Sequence, residues 1–223
     1  MEPAFLCNFI PILGMVKERG KKKTGGKGMD VFEAVKSRRS SGNITQDPVP
    51  DELIEKVLEA ATWAPSHHKT EPWHFYVITG EGRKALGKVY KDIAREKQVE
   101  KGETNEKKLE KAVEKAYRAP VVIAAVVEPN QKEKVLEQEE HAAVNAAIQN
   151  MLLAAHALGL RTFWRTGEAV THPSMQQLLK LDEKAQVLGL IYLGMAADKE
   201  LPPGKRKPVE EVTTWLRSET DFE

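Results

Sequence analysis

Residues 120–127 read Pro-Val-Val-Ile-Ala-Ala-Val-Val. Seven apolar residues follow the proline without one polar interruption, and five of them are β-branched. A strand of this kind is buried on both faces. A second run, residues 186–193 (QVLGLIYL), has the same character, and residues 73–79 (WHFYVIT) add an aromatic, β-branched third strand. Around these strands the period changes to 3.6. Residues 29–39 place Val31, Phe32 and Val35 on one side. Leu53, Ile54, Val57, Leu58 and Ala61 form the face of a helix that starts at Asp51, just after Pro50. Leu86, Val89, Tyr90 and Ile93 mark another over 81–98.

A long helical stretch over 133–158 is closed by Gly159. From Ala142 onward it is apolar on most sides, more than one small sheet can cover, which points to burial against another subunit as well as in the core. Residues 160–164 read as extended, 173–180 as a short helix, 194–208 as irregular, and 210–216 alternate as a final strand does. Helices and strands therefore mix in an α+β order, with no internal repeat. Residues 95–118 hold eight basic and six acidic side chains and read as a solvated helical excursion.

Composition narrows the function. The 223 residues are 41% hydrophobic and 30% charged, enough for a sizeable core. A net charge of +1 calls for no nucleic-acid partner. A single cysteine, Cys7, excludes an intramolecular disulfide framework and any multi-cysteine metal site. No apolar stretch approaches the ~20 residues of a membrane-spanning helix, so the chain reads as soluble and cytoplasmic.

The charge is unevenly placed. Residues 1–28 carry six basic and two acidic residues, whereas 29–223 carry 28 basic and 31 acidic. In a secretory signal the basic residues precede the apolar core; here they follow it. The segment KERGKKKTGGKG (17–28) is what a purine-rich ribosome-binding stretch gives when translated, and Met29 follows at once. We read residues 1–28 as an extension arising from the choice of start site, with a poorly cleaved signal or a basic membrane-surface tail as the alternative. Residues 29–223 read as one domain.

Four segments carry candidate chemistry. Ser37-Arg38-Arg39-Ser40-Ser41-Gly42 places two guanidinium groups and hydroxyls at a helix end. The group suits a phosphate, though basic residues there also match the helix dipole. Ala64-Pro65-Ser66-His67-His68-Lys69-Thr70-Glu71-Pro72-Trp73 is a donor-dense loop between prolines. Its adjacent histidines cannot face one metal as an i, i+4 pair would, so the loop suits a planar polar ligand better. Thr162-Phe163-Trp164-Arg165-Thr166-Gly167 combines aromatics, a cation and a turn. Gly204-Lys205-Arg206-Lys207-Pro208 is either a solvated charge run or half of a phosphate clamp. Dinucleotide fingerprint, P-loop and nucleophile elbow are all missing.

In this order and spacing the four segments resemble the nitroreductase family of FMN-dependent oxidoreductases, from residue 29 to the end of the chain. The resemblance implies a three-layer α/β/α sandwich with a central mixed sheet. It implies an intertwined homodimer built on the helix near 140–158, with the C-terminal strand crossing to the partner. FMN would sit in the interface. Arg38, Arg39 and Ser40 would hold its phosphate and ribityl end, and Lys205 and Arg206 would close on the phosphate. Phe163, Trp164 and Arg165 would line the isoalloxazine ring, and His67 would approach from the other chain. NADH or NADPH would donate hydride to flavin N5, and a nitroaromatic, quinone or similar small acceptor would receive it in ping-pong fashion, with no obligatory catalytic side chain. Two positions depart from the family pattern. The loop before Pro72 lacks the usual amides, and Gly42 stands where many relatives have a lysine. Lys69 is a candidate replacement for that charge. Reductive dehalogenation, oxygen-dependent flavin chemistry and non-catalytic flavin binding remain alternatives.

Overall fold

The computed structural model describes residues 29–130, 134–197 and 201–218. The reading of residues 1–28 lies outside them. Helix α1 (Val31–Ser37) is capped by Asp30, whose carboxylate accepts from the amides of Phe32 and Glu33. Helix α2 (Asp51–Thr62) begins after Pro50 as the sequence predicts. Then follow β1 (Trp73–Thr79), α3 (Gly82–Glu100), α4 (Glu106–Val113), β2 (Val121–Val127), α5 (Glu137–Ala157), β3 (Leu160–Arg165), α6 (Glu168–Thr171), α7 (Pro173–Leu179) and β4 (Gln186–Met195). Short 3-10 turns cover His67–Lys69, Glu114–Tyr117 and Val209–Val212.

The strands lie in the order β1-β2-β4-β3, each antiparallel to its neighbour. Among the described residues the one parallel pairing is a bridge between Ser40 and Thr162, so the mixed character of the sheet rests on the loop after α1. β2 is central and wholly buried, and its alternation divides the core. Val121, Ile123, Ala125 and Val127 pack with Val57, Ile148 and Met151 beneath α2 and α5. Val122, Ala124 and Val126 pack with Leu86, Tyr90 and Met175 beneath α3 and α7. Helices on both faces of one sheet make the expected α/β/α sandwich of the α+β class. Among the described residues no helix is long and apolar enough to cross a membrane.

Two expectations change. The final strand predicted over 210–216 does not form. Val209–Val212 is a 3-10 turn, and Val209, Val212, Trp215 and Leu216 lie in the open. Alternating apolar residues become a strand only where a neighbour supplies the ladder, and no described strand of the same chain pairs with this segment. The excursion 95–118 is less solvated than its charge suggests. Leu109, Ala112 and Ala116 are buried. Gly87 of α3 lies so close to Val113 that an added Cβ would stand 2.9 Å from its Cγ1. This segment is docked on α3, with its charges exposed except Lys115, which is half-buried against Tyr90.

Candidate functional site

Helix α1 delivers Arg38 and Arg39 to the edge of the sheet. The amide of Ser41 donates to the Thr162 carbonyl at 3.0 Å, and the Ser40–Thr162 bridge ties the same turn to β3. Both arginines are half-buried. Arg39 Nη1 donates to the carbonyls of Lys36 and Arg38, each at 2.7 Å. Arg38 Nη1 and Arg39 Nε are buried with no partner. Gly204 lies directly against Arg39: a Cβ there would stand 2.5 Å from the guanidinium carbon. Arg206 is close enough to Arg38 to act on its charge. Burial first, then Arg39 and Arg206, hold the Arg38 guanidinium below its ordinary pKa. Among the described residues none of these three arginines pairs with a carboxylate. Lys205 and Ser40 are exposed beside them. An open cleft of about 600 Å³ runs between α1 and residues 201–203, reaching Ser37 and Arg39.

His156, at the end of α5, stands 2.7 Å from Ser37 Oγ. Ser37 commits its hydroxyl hydrogen to the Glu33 carbonyl at 2.6 Å, so His156 Nε2 carries the hydrogen shared with Ser37. Burial, then Arg161, Arg38 and Arg39, push the His156 pKa down. Concentrated positive charge with desolvated, unpaired N–H donors matches a phosphate dianion, which would bring the missing acceptors.

Strand β3 does not present its three expected wall residues together. Side chains alternate along a strand. Trp164 points to the α2/α5 side, as Leu160 does. Its indole lies across Gly189, where a Cβ would come within 2.0 Å of Nε1, and that Nε1 is buried and unpaired. Phe163 points to the other side and packs near Tyr192, ring centroids 6.3 Å apart. Arg165 also lies there, 5.5 Å over the Tyr90 ring. One flat ring cannot rest on all three side chains. Trp164 lies on the α2/α5 face, Phe163 and Arg165 on the α3/α7 face.

The loop 64–72 is tightly folded. Ser66 Oγ lies 3.0 Å from Thr70 Oγ1 and accepts from the Glu71 amide at 2.9 Å. His68, Lys69 and Glu71 all have φ near +50°, a conformation that costs non-glycine residues of order 1 kcal/mol each. The loop is anchored to α5 through Glu140. That carboxylate, 1% exposed, accepts from Thr70 Oγ1 at 2.5 Å and from the Asn130 amide at 3.0 Å. His67 is exposed, with Nε2 3.7 Å from Glu139. Its ring meets the His68 ring edge-on at 4.1 Å. Lys69 is exposed.

His67 thus sits at the N-terminal end of α5, beside Glu139, and the arginine pair at its C-terminal end, beside His156. Seventeen residues of helix separate those ends, roughly 25 Å at 1.5 Å per residue. A single chain does not bring them to one ligand.

Sequence reading passed over Glu140, His156 and Gly189. An acid near a helix start reads as a match to the dipole, and Ser37 and His156 are 119 residues apart. A glycine among strand residues does signal close approach, and that clue at Gly189 was available.

The nitroreductase family profile matches residues 35–195. The Escherichia coli (strain K12) protein named "Putative NAD(P)H nitroreductase YdjA" is 31% identical over 166 residues, covering 74% of this chain and 88% of that one. A nitrobenzene nitroreductase of Ectopseudomonas oleovorans is 25% identical over 225 residues, covering 83% and 96%. Among solved structures, the nitroreductase-like family protein from Bacillus cereus superposes with a TM-score of 0.73 at 26% identity, covering 87% of this chain and all of that one. A Desulfovibrio desulfuricans protein crystallised in complex with FMN gives 0.64 at 27% identity, covering 86% and 99%. With its sheet order, its two-sided helical cover and this profile match, the chain belongs to the nitroreductase family.

Proposed function

We propose that this chain is an FMN-dependent NAD(P)H oxidoreductase acting on nitroaromatics, quinones or similar electron-poor acceptors. When bound, FMN would supply the two-electron chemistry, taking hydride from NADH or NADPH and giving it to the acceptor in turn. The observation that carries the reading is the pair of buried, unpartnered donors, Arg38 Nη1 and Arg39 Nε, in a group of arginines with no described carboxylate partner.

Those donors hold the phosphate, with Arg206, Lys205 and Ser40 closing around it. Trp164, laid flat by Gly189, offers the apolar wall and one free N–H. The separation along α5 supports assigning His67 to the site of a second copy. Packing α5 against α5 in antiparallel fashion sets the His67 loop of one chain beside the Arg38 cluster of the other. The α5 surface near His67 suits that contact: a cavity of about 570 Å³ there is lined by Pro65, Ser66, His67, Glu139 and small alanines. We therefore propose a homodimer with its ligand between the copies. No side chain is assigned a proton-transfer role. A cytoplasmic location, where NAD(P)H is available, accords with this reading.

Reductive dehalogenation is the rival reaction, and an iodotyrosine deiodinase of Nematostella vectensis is 28% identical over 212 residues. The charged segment 95–118, which could otherwise serve as a substrate lid, is packed on α3 through Val113 and Ala116 beside Gly87, which favours an open acceptor site.

The test is the visible spectrum of the purified protein, before and after anaerobic NADPH. A flavin spectrum that bleaches supports the reading; a protein that stays colourless after soaking in FMN contradicts it. Arg38→Ala should lower FMN affinity at least tenfold, since one charge-assisted contact is worth roughly 1.5–3 kcal/mol.

A further inference from the structure

The first turn of α5 carries three acids, Glu137, Glu139 and Glu140, and only Glu140 is buried, at 1% exposure. Among the described residues it is the one buried carboxylate, and no cation pairs with it. A carboxylate held away from water needs hydrogen bonds in place of those water gave it. Here they come from loops. Oε1 accepts from the Thr70 hydroxyl at 2.5 Å, and Oε2 accepts from the Asn130 amide at 3.0 Å. One side chain thus ties α5 to the loop before β1 and to the segment after β2.

The hydrogens of this connection have one direction. A carboxylate only accepts, so Thr70 gives it the single hydroxyl hydrogen. Thr70 Oγ1 then accepts from Ser66 Oγ, 3.0 Å away, and Ser66 Oγ accepts from the Glu71 amide at 2.9 Å. The relay runs from Glu71 through Ser66 and Thr70 to Glu140, and it closes a turn around His67, His68 and Lys69. That turn is strained: φ is +53° at His68 and Lys69 and +49° at Glu71. Its exit is fixed separately, by the Glu128 amide on the Pro72 carbonyl at 2.8 Å. We propose that Glu140 is a positioning residue: through Thr70 and Ser66 it holds the turn carrying His67 and Lys69 in the shape in which it meets the flavin of the second copy. This assignment rests on the flavin reading above and adds to it the residue that preorganises the loop.

The clamp is specific to an acid. A glutamine at position 140 keeps the volume, but one of its two end groups is an NH2 donor. Facing Asn130, that group sets donor against donor. Facing Thr70, it turns the hydroxyl hydrogen away and reverses the relay. Without the relay the three left-handed residues lose the bonds that offset their cost. Where the ligand-ready shape falls to about a tenth of the population, apparent affinity falls about tenfold.

The experiment compares Glu140→Gln, Thr70→Val and Thr70→Ser with the parent, each as the full chain. Flavin-free protein reports the loop shape, because a left-handed residue shows a strong NOE between its amide and its own Hα; the parent should show it at His68, Lys69 and Glu71. Titration with FMN then reports affinity. Glu140→Gln and Thr70→Val should lose those NOEs and bind FMN about tenfold more weakly, with far-UV circular dichroism unchanged. Thr70→Ser, which keeps the hydroxyl, should restore both. Should Glu140→Gln fold poorly, the two Thr70 variants carry the test. NOEs retained in Thr70→Val, or lost there with FMN affinity unchanged, overturn the proposal, as does a Thr70→Ser variant no better than Thr70→Val. A parent that binds no FMN removes the flavin reading and this assignment with it, whereas a parent and a Thr70→Val variant that bind FMN equally well remove only the assignment of Glu140.

Discussion

Strand β2 and the segment 209–216 are both rich in apolar side chains, and the fold treats them in opposite ways. Each of the seven residues of β2 is at most 2% exposed, flanked by strands and covered by helices on both faces. Val209, Val212, Trp215 and Leu216 are at least half exposed, Trp215 at 71%. At the other end of the described chain Phe32 of α1 is 73% exposed. The core is complete within one copy; its two extremities are not. Apolar side chains grouped this way mark a surface meant to be covered. The ~25 Å between the His67 loop and the arginine cluster accords with the proposed dimer, in which a second copy supplies what one chain keeps apart.

The largest effect should come from breaking the self-sufficient half. Ala124→Asp puts an unpaired carboxylate at a position with 0% exposure, at a cost on the order of 4 kcal/mol or more. Far-UV circular dichroism should show little folded protein; a cooperative melt near the parent's would contradict the account of β2. Next is the incomplete half. Trp215→Ala should leave the circular dichroism spectrum intact yet weaken the dimer by about 2 kcal/mol or more, as loss of a buried interface tryptophan does. Sedimentation equilibrium reads this directly, and an unchanged association constant would show that the tail covers nothing.

Smaller effects sharpen the contrast. Tyr192→Phe removes the partner of the buried Tyr90 hydroxyl and should cost roughly 1–3 kcal/mol in urea unfolding, with dimerisation unaffected. The smallest concerns His156. Its folded pKa lies below the ordinary 6.5, so the unfolded chain binds the proton more readily. Its contribution is present above about pH 6.5 and is lost as pH falls through 6.5 toward the folded value. His156→Asn should therefore flatten part of the decline in urea midpoint between about pH 7.5 and pH 5.5. Equal slopes in parent and variant would remove His156 from the account.

The core was legible because its signal is local. VVIAAVV, short, β-branched and opened by Pro120, reads as a strand buried on both faces, and the 3.6-residue faces of α2 and α3 announce what they cover. The Arg38–Arg39 pair and the Gly204–Arg206 loop were legible as candidate phosphate ligands by residue type, though not that they would meet. What failed is what depends on a third dimension. Consecutive residues 163–165 looked like one wall until strand alternation split them between two faces. The 210–216 pattern looked like a strand because alternation does not say where the neighbour is. Glu140, which holds Thr70 and so the His67 loop, carries no pattern that separates it from the acidic residues beside it at the start of α5.

The account depends most on the site belonging to two copies. Sedimentation velocity recorded at once in protein and flavin absorbance, over a dilution series, tests this most directly. Flavin should travel with the dimer and appear free as monomer appears. A monomer boundary that keeps its full complement of flavin would contradict the shared site.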